Sequence, residues 1–165
     1  MMPYSRFFAM VAVSALVMFG LMYLNTYALD HVFYSQTRMW MAVVMGAAMA
    51  IIMLGFMSAM YKNARINAAI VVCSFLVFGV SLWLVRSQQT VDDVSYMRAM
   101  IPHHSIAIMT SERAHIHDPR VRKLADGIID AQVREIGEMK KLIADLDKHP
   151  SPPGAPDLPP ARKDE

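Results

Sequence analysis

The amino-acid sequence predicts an all-α protein: three membrane-spanning helices, then a two-helix hairpin and a disordered proline-rich tail. Three observations predict this fold class. The first half holds three long uncharged apolar runs, the second half holds charged segments with apolar residues at helical spacing, and proline dominates the end. The hydrophobic content of 55% and mean hydropathy of +0.31 are high for a soluble protein. We expect boundaries at residues 1–86, 87–148 and 149–165.

The apolar runs cover residues 7–29, 39–60 and 66–85. Each is long enough to cross the hydrocarbon core, which takes about 20 residues of helix. Arg6 precedes the first run, as in a signal peptide, but the run exceeds the roughly 7–15 apolar residues typical of such peptides and no clear cleavage site follows. We therefore expect a retained anchor.

Short connectors make neighbouring spans antiparallel, and three spans place the termini on opposite sides of the bilayer. The basic residues near the membrane divide into Arg6, Lys62 and Arg65 on one side and Arg38, Arg86 and Arg98 on the other. The close pair Lys62 and Arg65 favours its side as the cytoplasmic one. The prediction is an integral protein of a bacterial inner or plasma membrane, with a cytoplasmic N-terminus and an outer or periplasmic C-terminal domain.

The second span carries methionine every four residues, at Met41, Met45, Met49, Met53 and Met57. Such a column is either a thioether ladder for a soft metal ion or a flexible packing surface. The absence of a charged partner in this span favours packing. Gly46 and Gly55 predict close contacts between helices.

The hairpin is predicted from residue 91 to about 115 and from 119 to about 148. Thr90 and Asp93 are spaced like a weak capping box, and Pro102 should bend the first helix. Asp118 followed by Pro119 predicts the start of the second helix. About 60 residues make a marginal core alone, so we expect a homodimer or higher homo-oligomer, simplest as a four-helix bundle, or packing on the spans.

The stretch MRAMIPHHSIAIM raises the question of metal binding. On a helical wheel Met97, Met100 and His104 fall within about 60° of one another, His103 lies at their edge, and Met109 points away. In the second helix Glu135 and Met139 lie in the apolar stripe, where a carboxylate is costly unless it is paired or binds a cation. The candidate ligands are Met97, Met100, His103, His104, Glu135 and Met139.

Thioether and imidazole ligands together favour copper, as Cu(I) or Cu(II). Iron and manganese bundles use Glu-x-x-His pairs, which are absent among these candidate ligands, and zinc rarely takes thioethers. The alternative is that these methionines and histidines only pack a core. His115 and His117 could form a second, weaker site, whereas the single Cys73 excludes a CxxC site.

The stretch 97–109, with Gln132, Glu135, Ile136 and Met139 following, resembles the bacterial family called domain of unknown function 305. Its hallmarks are Met-x-x-Met-Ile-x-His-His-x-x-Ala-Ile followed by a methionine, here Met109, and Gln-x-x-Glu-Ile-x-x-Met. The resemblance covers about residues 92–146 and implies a ferritin-like hairpin, half of a four-helix bundle. It also implies a role in copper binding or resistance. The membrane region has no counterpart in it.

These features predict a membrane-anchored protein that binds copper for sequestration, transfer or resistance, with copper-handling proteins as partners. One alternative is a structural membrane protein whose hairpin mediates assembly without metal. A copper redox enzyme is the less favoured alternative, because no recognisable acid–base pair accompanies the metal ligands. The net charge of +2 gives no case for nucleic-acid binding.

Overall fold

The computed structural model of the protein describes residues 4–152 and 154–159. These residues form five α-helices, one short 3₁₀ helix at Leu29–His31 and no β-strand, which confirms the all-α prediction for the described chain. The helices are α1 (Tyr4–Leu21), α2 (Gln36–Phe56), α3 (Ala64–Ser87), α4 (Asp93–Arg113) and α5 (Pro119–Leu146).

The first three helices are each long and apolar enough to cross a membrane, as predicted. The central helix α2 packs against both α1 and α3. Its buried face carries small residues at Ala42, Gly46 and Ala50. A Cβ added to Gly46 would lie 3.3 Å from the Cβ of Ala15, so glycine permits this close approach. Gly55, from which a close contact was also predicted, has no such neighbour.

The methionine column of α2 runs beside this small-residue face. Its members after Met41 are half-buried, and Met53 and Met57 pack on the cluster that contains Phe7 and Tyr61. At this end of α2 the column therefore fills space between helices, in line with the packing interpretation.

Helix α1 ends at Leu21, although the apolar run predicted its span to continue to residue 29. The cause is a tertiary contact. The guanidinium of Arg38 donates a hydrogen bond to the carbonyl of Met22 at 2.7 Å and stacks over the ring of Tyr23 at 4.5 Å. A cation at the last carbonyls satisfies the helix end and stabilises its termination there.

The hairpin consists of the antiparallel helices α4 and α5. Two pairs show this direction: Arg98 near the start of α4 pairs with Asp147 just after α5, and His104, further along α4, faces Glu135, which comes earlier in α5. Helix α4 continues through Pro102, and its N-cap is Asp92 rather than the predicted Thr90. Helix α5 begins as predicted, with Asp118 as N-cap and Pro119 in the first turn. The core between the two helices is formed by Met97, Ile101, Ile108, Ile136, Met139 and Ile143.

The connector between α1 and α2, residues 22–35, lies on the hairpin, whereas the α2–α3 connector packs on Tyr4 at the opposite end of the spans. The hairpin and the first connector therefore share one side of the predicted membrane. In the tail, Ser151 donates a hydrogen bond to Asp93, and the chain turns at Gly154. Residues 153 and 160–165 of the predicted disordered tail lie outside the described residues.

Candidate metal site

An open groove of about 1190 Å³ runs between α4 and α5, from the end of α3 to His104. Five of the six predicted ligands line this groove: Met97, Met100, His104, Glu135 and Met139. The remaining wall residues are mainly apolar, including Tyr96, Leu142 and Leu146, or acidic. The helical spacing of the sequence thus brings two thioethers and one imidazole of α4 opposite one thioether and one carboxylate of α5.

The thioethers lie at the base of the groove. Met97 and Met139 are 7% and 9% exposed and belong to the hairpin core, while Met100 is half-buried beside them. Sulfur atoms in such a position can bind a soft cation without first giving up a strong interaction with water.

His104 brings an imidazole to the groove wall. Its side chain is 13% exposed, and its Nδ1 lies 3.2 Å from Oε2 of Glu135. The two groups are not aligned as a hydrogen bond, so Nδ1 is a buried nitrogen without a hydrogen-bond partner. Burial lowers the pKa of His104 below its ordinary value of 6.5; the Glu135 carboxylate opposes this shift, and His103 adds to it. A neutral imidazole keeps a lone pair for a metal ion.

Glu135 lies at the rim of the groove. Its side chain is 41% exposed, so the carboxylate keeps contact with water and does not carry the full cost of a buried charge. From this position it can orient the His104 ring or bind a cation directly.

His103, also predicted as a ligand, is exposed and does not line the groove, although its ring centroid is 6.0 Å from that of His104. Met109 is half-buried and likewise outside the groove. His115 and His117, the candidates for a second site, are both exposed in the α4–α5 connector.

Sequence reasoning missed the acidic rim of the groove, formed by Asp92, Asp93 and Glu138 in addition to Glu135. Glu138 follows Glu135 by three residues and Asp93 lies on the same helical stripe as Met97, which are readable spacings, but Asp92 reads only as part of a helix start. Across residues 4–152 and 154–159, no three His, Cys, Asp or Glu side chains are grouped to hold a metal ion. A metal in the groove would therefore depend on the methionines.

Residues 93–164 match the family model described as Domain of unknown function (DUF305). An uncharacterised protein of Acanthamoeba polyphaga mimivirus, L153, is 31% identical over 102 residues, which cover 58% of this chain and 67% of the viral protein. The chain belongs to the DUF305 family. The DUF305 match begins at Asp93, the first residue of α4, so the spans precede it. No solved structure matches this DUF305 protein.

Proposed function

We propose that the protein is a membrane-anchored metal-binding protein that holds copper in the groove between α4 and α5, for sequestration, transfer or resistance. The observation that carries the proposal is the meeting of Met97, Met100, His104 and Met139 in one groove. Three thioethers and one neutral imidazole suit Cu(I), and the imidazole also suits Cu(II). The carboxylate of Glu135 would support the His104 ring or complete the ligand set.

The proposal includes an arrangement for the whole protein. The hairpin would be half of a ferritin-like four-helix bundle that a second copy completes, and copper-handling proteins would supply or accept the ion. The N-terminus would be cytoplasmic and the hairpin outside, because Lys62 and Arg65 lie at the end of the spans opposite to it.

The test is anaerobic titration of the full-length protein, in detergent, against a colorimetric Cu(I) chelator. We expect sub-micromolar affinity or better. The neighbouring histidines provide a matched pair: His104→Ala should weaken binding by about tenfold or more, whereas His103→Ala should have a small effect because His103 lies outside the groove. Unchanged affinity in the variant lacking both imidazoles would refute the assignment.

A second candidate function, assembly without metal, is favoured by the apolar surface of the hairpin. Tyr96, Val121, Leu124, Val133 and Leu142 are all exposed in the single chain. The free energy falls when a partner covers apolar side chains in this position and removes them from water. Purified protein that contains no copper, binds none on titration and still self-associates would favour this function over the metal-binding one.

A further inference from the structure

The connector between α1 and α2 is held on the hairpin by polar contacts to both of its helices. The carboxylate of Asp30 pairs with the ammonium group of Lys140 in α5 at 2.6 Å. On α4, Ser105 Oγ accepts a hydrogen bond from the backbone N–H of Tyr27 at 2.8 Å and lies 3.0 Å from Nδ1 of His31. The connector thus bridges the two helices that form the groove.

Ser105 is fully buried, with 0% of its surface exposed. A buried hydroxyl is costly unless its hydrogen bonds are made, and here both connector contacts satisfy it. The Ser105 hydroxyl accepts a hydrogen bond from Tyr27 and can donate one to a neutral His31 ring. Burial, and secondly the positive charge of Lys140, lower the pKa of His31 and favour this neutral form. The connector and α4 are therefore joined by a complete, directional pair of hydrogen bonds.

Ser105 follows His104 directly, and successive helix residues point about 100° apart. The connector thus holds α4 on one side while His104 faces the groove on another. Pro102, one turn earlier, lacks the N–H that would bond to the carbonyl of Arg98, so the helix has one backbone hydrogen bond fewer here. A metal site needs its ligands placed to within about 0.5 Å, and rotation of α4 would move its ligands together.

We propose that the α1–α2 connector is part of the scaffold of the metal groove, and that Ser105 is a positioning residue that fixes His104 through Tyr27 and His31. The inference rests on the proposed copper binding and adds a dependence on a segment that lies outside the DUF305 match. It implies that the hairpin reaches its full metal affinity only when the membrane region is present.

The experiment compares full-length variants in detergent by Cu(I) competition titration and X-ray absorption. Ser105→Ala and His31→Leu should each weaken Cu(I) binding by about 10- to 100-fold, the range found for residues that orient metal ligands. The absorption spectrum should lose its nitrogen contribution while the sulfur contribution remains. His31→Gln keeps a hydrogen-bond acceptor for Ser105 and should restore most of the affinity.

Thr110→Ala is the matched control, because it removes a hydroxyl from the same helix that bonds only to carbonyls of α4 itself. It should leave both affinity and spectrum unchanged. Wild-type affinity and spectrum in Ser105→Ala would overturn the inference while copper binding stands. If Ser105→Ala does not fold, equal affinities of His31→Leu and His31→Gln would overturn it. A wild-type protein that binds no copper would overturn the proposed function and this inference together.

Discussion

At the scale of single residues, helical periodicity accounts for most of the candidate site. The wheel groups Met97, Met100 and His104 and turns Met109 away, and the same three residues line the groove while Met109 does not. Periodicity follows from the chain alone, because every α-helix advances about 100° per residue. The position of the groove on α4 also depends on how α5 packs, which periodicity does not give. For this reason the sequence alone could place His103 only at the edge of the predicted ligand set.

Met100, which lines the groove, and Met109, which does not, offer a matched test of the thioether ligands. Met100→Leu and Met109→Leu each remove a sulfur atom with little change in volume, so the fold should lose less than about 1.5 kcal/mol in either variant. We expect Met100→Leu to weaken Cu(I) binding by about tenfold or more and Met109→Leu to leave it unchanged, because of these two residues only Met100 lines the groove. Competition titration measures both, and equal affinities would refute a role for the Met100 sulfur.

At the scale of helices, the start of α5, fixed by neighbouring residues, was predictable, and the end of α1, fixed by a distant one, was not. Asp118 and Pro119 start α5 as predicted, since an N-cap and its proline act within one turn. The end of α1 depends on Arg38, which reaches back to the carbonyl of Met22 from the next helix. A continuous apolar run gives no sign of such a contact. For α4 the sequence predicted Thr90 as the cap, but the structure caps the helix with Asp92.

The cap of α4 predicts a pH-dependent stability of its first turn. Asp92 accepts a hydrogen bond from the backbone N–H of Ser95 at 2.7 Å, and this bond lowers the pKa of Asp92 below its ordinary value of 3.8. A carboxyl whose pKa is depressed by folding stabilises the helix above its unfolded pKa, and this contribution is lost as the pH falls through the lower folded pKa. Asp92→Ala should cost about 1 kcal/mol at neutral pH.

Amide hydrogen exchange in the first turn of α4 measures this effect locally. Above pH 4 or so, where the Asp92 carboxyl is ionised in the unfolded chain as well, exchange should be faster in Asp92→Ala than in wild type. Asp92→Asn keeps a capping oxygen that does not titrate, so it should stay protected and lose only the pH dependence. Equal protection in Asp92→Ala and wild type would contradict the assigned cap.

At the scale of the whole molecule, composition and apolar runs predicted the all-α fold and three helices long and apolar enough to span a membrane, but not the contact between these helices' first connector and the hairpin. That contact depends on pairs such as Asp30 with Lys140, which are far apart in sequence and belong to segments that read as an ordinary connector and an exposed helix face. Nothing in the local pattern of either segment indicates the other. The same contacts place the first connector and the hairpin on one side of the spans.

Sidedness is therefore testable with single cysteines in a Cys73→Ser background. Leu29→Cys in the first connector and Val133→Cys in α5 replace exposed side chains, as does Ala64→Cys at the start of α3. In sealed cells, a membrane-impermeant thiol reagent should label Leu29→Cys and Val133→Cys alike and Ala64→Cys in the opposite way, because one predicted span separates Ala64 from each of them. If the cytoplasm holds Lys62 and Arg65, the first two will be the ones labelled from outside. Labelling of Leu29→Cys and Val133→Cys from different sides would contradict the docking of connector on hairpin, whereas labelling of both only after lysis would reverse the proposed orientation and leave the docking intact.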